Sequence, residues 1–325
     1  MLHYTQLTLA QRYQIQSLHQ QKCPQKNIAI QVGVSTATIS RELARNRHTD
    51  TGQPYQAQTA HESAKHRRQR QAYKLKGELK ESVLKGLIER FSPEQISGVL
   101  ALETGRKCIS HETIYRYCYA HNDIDGQPLT RFLRIRHKKR YKKRGKPQKR
   151  GTIPHRVGIE ERPAIVETNT EIGHWEGDTV IGAEHDGVLL TLVERVTKYT
   201  IIVKLPSKHA LFLAHQAVIH LKKCPLPVRS ITFDNGKEFT EHRLISQGVK
   251  APVYFARPYH SWERGLNENT NGLIRQYIPK GCRISIVRPS DVNWIQDQLN
   301  HRPRKTLGFL SPIQFAQKQA IALQI

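Results

Sequence analysis

The sequence lacks any apolar run near the roughly 18 residues of a membrane span, and its N-terminus has no apolar signal core. That disfavours a membrane-spanning or exported protein and leaves a cytosolic one as the expectation. It also lacks a C-x-x-C pair. The five cysteines, Cys23, Cys108, Cys118, Cys224 and Cys282, are odd in number and scattered. This excludes a zinc finger and a disulfide framework and reads as five reduced thiols. Acid is scarce in the front half: residues 1–150 hold 30 Lys and Arg against 11 Asp and Glu, whereas residues 151–325 hold 22 against 16. The net charge of +25 is thus concentrated where acid is missing. Such asymmetry points to a polyanionic partner, nucleic acid before an anionic membrane.

The length of 325 residues suggests two or three domains at roughly 150 residues each. Residues 1–60 read as a helical DNA-binding domain. Leu7, Leu9, Ile15 and Leu18 form one apolar set, and "QKNIAIQVGVSTATISRELARNR" follows. Ile28, Ala29 and Val32 have helical spacing, Gly33 breaks the helix, Ser35 can cap the next, and Ile39 and Leu43 continue the stripe. The second helix would expose Thr36, Thr38, Ser40, Arg41 and Arg45, which suits a major-groove recognition helix. A plain helical hairpin is the bland alternative. The stretch "AKHRRQRQAYKLK" is either a solvated helix face or a contact surface.

Residues 61–130 read as a second helical region of the same kind. Ser92 caps a helix that begins with Pro93 and Glu94, with Ile96, Val99 and Leu100 as its buried stripe. Gly105 ends it, and Ser110 caps "HETIYRYCYA", which would offer Thr113 and Arg116 to DNA; a helical spacer is the competing reading. Residues 131–160 read as a basic linker. Its first twenty residues contain 12 Lys and Arg, including Lys138, Lys139 and Arg140, and no acid. Like charges extend such a run, either along phosphates or free in solvent.

Residues 161–325 change character. "HWEGDTVIGA" reads as a strand, "VLLTLVERVT" and "YTIIVKL" as a buried hairpin, and "SKHALFLAHQAVIHLKK" as a helix with Leu211, Ala214, Val218 and Leu221 on one side. "VRSITFDNG" and "PVYFA" are further strands, and a polar helix, "SWERGLNENTNGLIRQY", follows. The order β-β-β-α-β-β-α is mixed α/β.

Three acids stand out in this region. Alternation puts His174, Glu176 and Asp178 on one strand face, and Gly177 beside Asp178 would let a backbone or substrate approach closely. Asp234 ends a strand at a Gly-containing loop, where open α/β sheets place ligands. The polar helix offers Glu263 or Glu268, which lie about 140° apart and cannot share a site. From Glu268 the same face continues through Asn271, Gly272 and Arg275, an acid for a metal beside a cation for a phosphate. Glu263 can be read as a helix-dipole acid. Two aspartates and a glutamate are the oxygen ligands Mg²⁺ prefers, and two such ions can promote phosphodiester cleavage.

These segments resemble a known family. "HWEGDTVIG", "TFDNGKEF", "YFARPYHSWERGLNENTNGLIRQYIPKG" and "LNHRPRKTLGFLSP" are similar to the catalytic domain of bacterial insertion-sequence transposases of the IS-thirty family, and "VGVSTATISRELARNR" to its N-terminal helix-turn-helix. The 33 residues between Asp234 and Glu268 match that family's spacing. The resemblance runs from about residue 4 to 316. It implies an RNase H-like integrase core, a catalytic and metal-binding triad of Asp178, Asp234 and Glu268, and two Mg²⁺ or Mn²⁺ ions. It further implies 3′-end cleavage and strand transfer at terminal inverted repeats, with duplex repeat and target DNA as partners and a homo-oligomer in a nucleoid-associated, cytoplasmic setting. Arg275 and Lys280 are expected near the DNA. The alternatives are a non-enzymatic DNA-binding regulator with an inactive integrase-like domain and a nuclease of RNA–DNA hybrids.

Overall fold

The computed structural model describes residues 6–46, 54–72, 75–123, 125–134, 153–257, 260 and 265–322. The chain divides into two compact units, Met1–Ser82 and Val83–Ile325.

The first unit contains α1 (Leu9–Gln20), α2 (Gln25–Val32), α3 (Thr36–Arg45) and α4 (Ala57–Ala72). Thr8 and Gln11 form a capping box that starts α1. Gly33 ends α2 in the left-handed region at φ 73°, which any side chain would strain. Ser35 then caps α3 by accepting from the Thr38 amide. Ile15, Ile28 and Ile39 are fully buried and make a core with Val32, Leu43, Tyr55 and Ala60. Inside it Arg12 pairs with Glu42 (Nε to Oε1 2.6 Å) and also donates to the Leu7 carbonyl.

Helix α5 (Gly77–Ile88) crosses the division. The second unit continues with α6 (Pro93–Thr104), α7 (His111–Ala120) and α8 (Ile165–Thr168), followed by β1 (His174–Ile181), β2 (Val188–Glu194) and β3 (Thr200–Leu205). Then come α9 (Ala210–Lys223), β4 (Ser230–Phe233), α10 (His242–Val249), β5 (Val253–Phe255), α11 (Gly265–Ile274), α12 (Pro289–His301) and α13 (Pro312–Ala322). The sheet order is β3-β2-β1-β4-β5, antiparallel at β1/β2 and β2/β3 and parallel at β1/β4 and β4/β5. One face packs on α9 and α10 through Trp175, Leu190, Phe233, Leu213 and Ile245. The other packs on α11 and α12 through Val180, Leu189, Leu273 and Ile295. Strand β2 is buried along its whole length, as a strand covered on both faces must be.

The helical N-terminal region and the mixed-sheet domain are as expected from sequence. Three details differ. Helix α10 was not anticipated and separates β4 from β5. The buried side of α9 is Leu213, Ala214, Ala217 and Leu221, while Leu211 is exposed and Val218 only half-buried. The compact units divide at 82/83 rather than at the expected boundaries, so α6 and α7 share a unit with the sheet. Helix α6 packs on the stretch after α12. Gln95 Nε2 donates to the Pro303 carbonyl at 2.5 Å, Arg302 Nε donates to Gln95 Oε1 at 3.1 Å, and Lys305 pairs with Glu94 at 2.5 Å. Gly98 has no Cβ because the Phe309 ring occupies that space.

Candidate active site

Strand β1 lies at the middle of the sheet with Asp178 on the α11 face. The β1/β4 register pairs His174 with Ser230 and Glu176 with Thr232. The pairing ends there, and Asp234 follows two residues after Thr232, just past the end of β4. The Asp178 carboxylate is held from two sides: Oδ1 accepts from the Thr179 amide at 2.9 Å, and Oδ2 accepts from Asn271 Nδ2 of α11 at 2.8 Å. Thr191 on β2 donates to the Asp178 carbonyl at 3.2 Å. The close approach that Gly177 permits, expected of a backbone or substrate, is made by a side chain: a Cβ there would meet the Phe233 ring at 2.1 Å, so the glycine lets β4 seat its core aromatic beside β1.

Asp234 follows β4, and its Oδ1 accepts from the Gly236 amide at 3.0 Å. The next residue, Asn235, is buried, donates to the Ala256 carbonyl and accepts from Arg156. Glu238 closes this loop: its Oε1 accepts from Thr179 Oγ1 and Lys208 Nζ, both at 2.8 Å. Burial alone would raise the Glu238 carboxyl, but hydrogen bonds from Lys208, its own amide and Thr179 outweigh it and hold it below the usual carboxylate range.

Glu268 is exposed in the first turn of α11, one turn before Asn271. The helix therefore sits against Asp178 on the side that carries Glu268. Glu263 lies outside the described residues. Among the described residues no group of three or more His, Cys, Asp or Glu is spaced to hold a metal ion. The donor chemistry of Asp178, Asp234 and Glu268, all carboxylates, nevertheless suits a hard divalent cation, and Asp234 follows the strand that pairs with the one carrying Asp178.

The other expected site residues fall out as follows. His174 bonds Ser230 and Glu171, and Glu176 pairs with Arg195 at 2.5 Å, so both are tied into the fold. Arg275 closes α11, its amide donating to the Asn271 carbonyl one turn back at 3.0 Å, while its Nη2 donates to the Ile181 carbonyl at 2.6 Å and burial lowers its pKa. Lys280 is exposed. Thr36, Ser40, Arg41 and Arg45 are exposed on α3, while Thr38 is half-buried, its hydroxyl shared with Ser35 at 2.9 Å. Thr113 is held in the same way by Ser110, and Arg116 is exposed and paired with Glu112. Lys138, Lys139 and Arg140 lie outside the described residues. Sequence reasoning missed Thr191 and Glu238 altogether and took Asn271 only as spacing. Its position three residues after Glu268 was the one available signal.

Residues 3–46 match the family described as a helix-turn-helix domain. Over 309 residues the chain is 45% identical to the transposase for insertion sequence element IS4351 of Bacteroides fragilis, covering 94% of each protein. It is 37% identical over 328 residues to transposase InsI for insertion sequence element IS30A of Escherichia coli, covering 96% of this chain and 83% of the relative. A third similarity, 33% over 322 residues, is to the transposase for IS1086 of Cupriavidus metallidurans, covering 96% of this chain and 94% of the relative. The chain belongs to the IS-thirty family of insertion-sequence transposases. Membership unites the N-terminal helix-turn-helix and the mixed-sheet core in one DNA-transposition protein. No described helix is long and apolar enough to cross a membrane.

Proposed function

We propose that this IS-thirty family protein binds the terminal inverted repeats of its own insertion element and carries out 3′-end cleavage and strand transfer. Asp178, Asp234 and Glu268 are its catalytic carboxylates in an RNase H-like core. The observation that carries this reading is at Asp178: Asn271, one turn after Glu268 on α11, donates to its carboxylate, and Asp234 directly follows the neighbouring parallel strand. The three acids would hold two Mg²⁺ or Mn²⁺ ions. When bound, such ions lower the pKa of the attacking hydroxyl or water and stabilise the leaving oxygen of the phosphodiester.

The chain's own residues orient and shield. Asn271 and the Thr179 amide orient the Asp178 carboxylate, and the Gly236 amide orients that of Asp234. The Lys208–Glu238–Thr179 contacts clamp the loop that follows Asp234. Helix α3 presents Arg41 and Arg45 to the repeat, and the protein works as a homo-oligomer on DNA.

The test is nicking and joining of a labelled repeat end in Mg²⁺ or Mn²⁺. Asp178→Asn, Asp234→Asn and Glu268→Gln should each abolish both products and keep repeat binding. Glu263→Gln should be mild by comparison. A dead Glu263→Gln beside an active Glu268→Gln would move the third carboxylate to Glu263. Parent-like cutting by all four variants would make the sheet domain a non-catalytic assembly module and the protein a regulator.

A further inference from the structure

Beside α11 lies a cavity of about 290 Å³ lined by Lys198, Leu266, Asn269, Thr270, Arg304 and Thr306, among others. None of its lining side chains among the described residues is acidic. Arg304 is 8% exposed, yet no carboxylate pairs with it among the described residues. Its Nη2 donates to the Leu299 carbonyl at 3.1 Å, and its buried Nε has no acceptor. Arg302, 2% exposed, is next in the chain but one, and among the described residues it bonds uncharged groups, Gln95 and Gln276. A buried cation without a counter-ion is costly, and two so close together are costlier. Burial, with Arg302 and Arg134 adding to it, pushes the Arg304 guanidinium down to about 9, and burial lowers the Lys198 ammonium as well, outweighing the pull of Glu194 and Glu176. The α12 C-terminal carbonyl answers only part of this charge.

We propose that this cavity seats one phosphodiester of the DNA held by the catalytic domain, with Lys198 and Arg304 as its cations and Asn269, Thr270 and Thr306 as uncharged partners. The assignment rests on the DNA-processing reading above. The volume is ample for a phosphate group. Of the lining residues Asn269 is the one next to Glu268 that is exposed, about 100° round α11, so a strand passing from the candidate catalytic acid over Asn269 brings a neighbouring phosphate to the mouth of the cavity. Duplex DNA supplies one negative charge per about 1.7 Å of axis, so a charge is always within reach.

The full chain and a repeat-end duplex provide the test, with single methylphosphonate substitutions scanned along each strand. Thr306→Glu puts a carboxylate on the exposed wall of the cavity and should leave the fold intact, as a melting curve would verify. Lys198→Gln removes one cation. The parent should show one phosphate whose neutralisation weakens binding several-fold. Both variants should bind several-fold more weakly, be indifferent at that position, and lose about one unit from the slope of log affinity on log salt. An unchanged slope and interference pattern in both variants would overturn the cavity while leaving the transposase reading standing. If the parent neither binds nor cuts repeat ends, both readings fall together. If inorganic phosphate raises the melting temperature of the parent but not of Thr306→Glu, while DNA interference is unchanged, the ligand is a free anion and the DNA assignment is wrong.

Discussion

The two capped helix pairs, α2–α3 and α6–α7, start alike and end differently. In each, a serine opens the second helix and accepts from the amide three residues on at 3.2 Å, and its hydroxyl meets a threonine at 2.9 Å. In each, a left-handed glycine, Gly33 or Gly105, ends the first helix. The first pair then folds around a core of its own and leaves the Arg41 and Arg45 face of α3 in solvent. The second pair gives one face of α6 to the sheet domain, through Glu94, Gln95 and Gly98. A local helix-turn-helix signature thus reports how the chain turns. Whether the pair stands as a module depends on residues two hundred positions away.

If the first pair is self-contained, its buried ion pair should govern it alone. Glu42→Gln leaves Arg12 buried without its carboxylate and should cost about 3–5 kcal/mol. We expect the melting transition of residues 1–82 to fall and repeat binding to weaken sharply, while the transition of the sheet unit stays in place. A common shift of both transitions would mean that the units do not unfold separately.

The matching break in the second pair is Gly98→Ala. A Cβ there would sit 2.3 Å from the Phe309 ring, a rigid neighbour that cannot swing aside as a flexible side chain can. Overpacking of this kind costs about 1–3 kcal/mol. Calorimetry should show the larger unit destabilised and the smaller untouched; an unchanged melt would show that α6 sits more loosely on the 302–309 segment than these contacts imply.

These contrasts show what the sequence made legible. The β1–β3 meander was readable because each strand is a short β-branched or alternating run bounded by turn residues. Asp178 and Asp234 were readable because a strand and a strand end place them without reference to anything distant. Helix α10 was not: "HRLISQGV" is short, has only His242 and Ile245 buried, and stops at Lys250 in a left-handed turn that a glycine would have advertised. Helix α9 misled because it is apolar on both sides, with Leu213 inside and Leu211 and Phe212 outside. The contact of Arg275 with the Ile181 carbonyl likewise could not be read from its spacing along the helix. The bond from Asn271 to Asp178 and the Glu238 clamp are tertiary facts with no local signature.

A smaller effect separates base reading from backbone contact on α3. Arg41 is exposed and its Nε donates to the Ala37 carbonyl at 3.0 Å, one turn back, which leaves the far end of the guanidinium free. If it reads a base, Arg41→Ala should cost about 1–3 kcal/mol on repeat DNA and relax specificity at one position. Competition binding with single-base-substituted repeats measures this, and an equal loss on random duplex would reduce Arg41 to a phosphate contact.

The smallest effect expected is at the corresponding place on α7. Arg116 and Glu112 form an exposed pair one turn apart at 3.2 Å, with side chains 80% and 60% exposed. Such pairs add about 0.3–0.5 kcal/mol at most, so Arg116→Ala should barely move the melting temperature. Its effect on DNA decides how far the two pairs are alike. Glu112 competes with DNA for the guanidinium and repels a nearby phosphate. Arg116→Ala should therefore weaken binding less than Arg41→Ala does, and equally on repeat and random duplex. The double variant Glu112→Gln/Arg116→Ala isolates the competition: if Glu112→Gln alone tightens binding and the double variant cancels the gain, Arg116 touches the backbone. A sequence-selective loss in Arg116→Ala as large as that in Arg41→Ala would instead make α7 a second recognition helix, and docking of α6 on the sheet domain would then hold that helix at a set distance from Asp178.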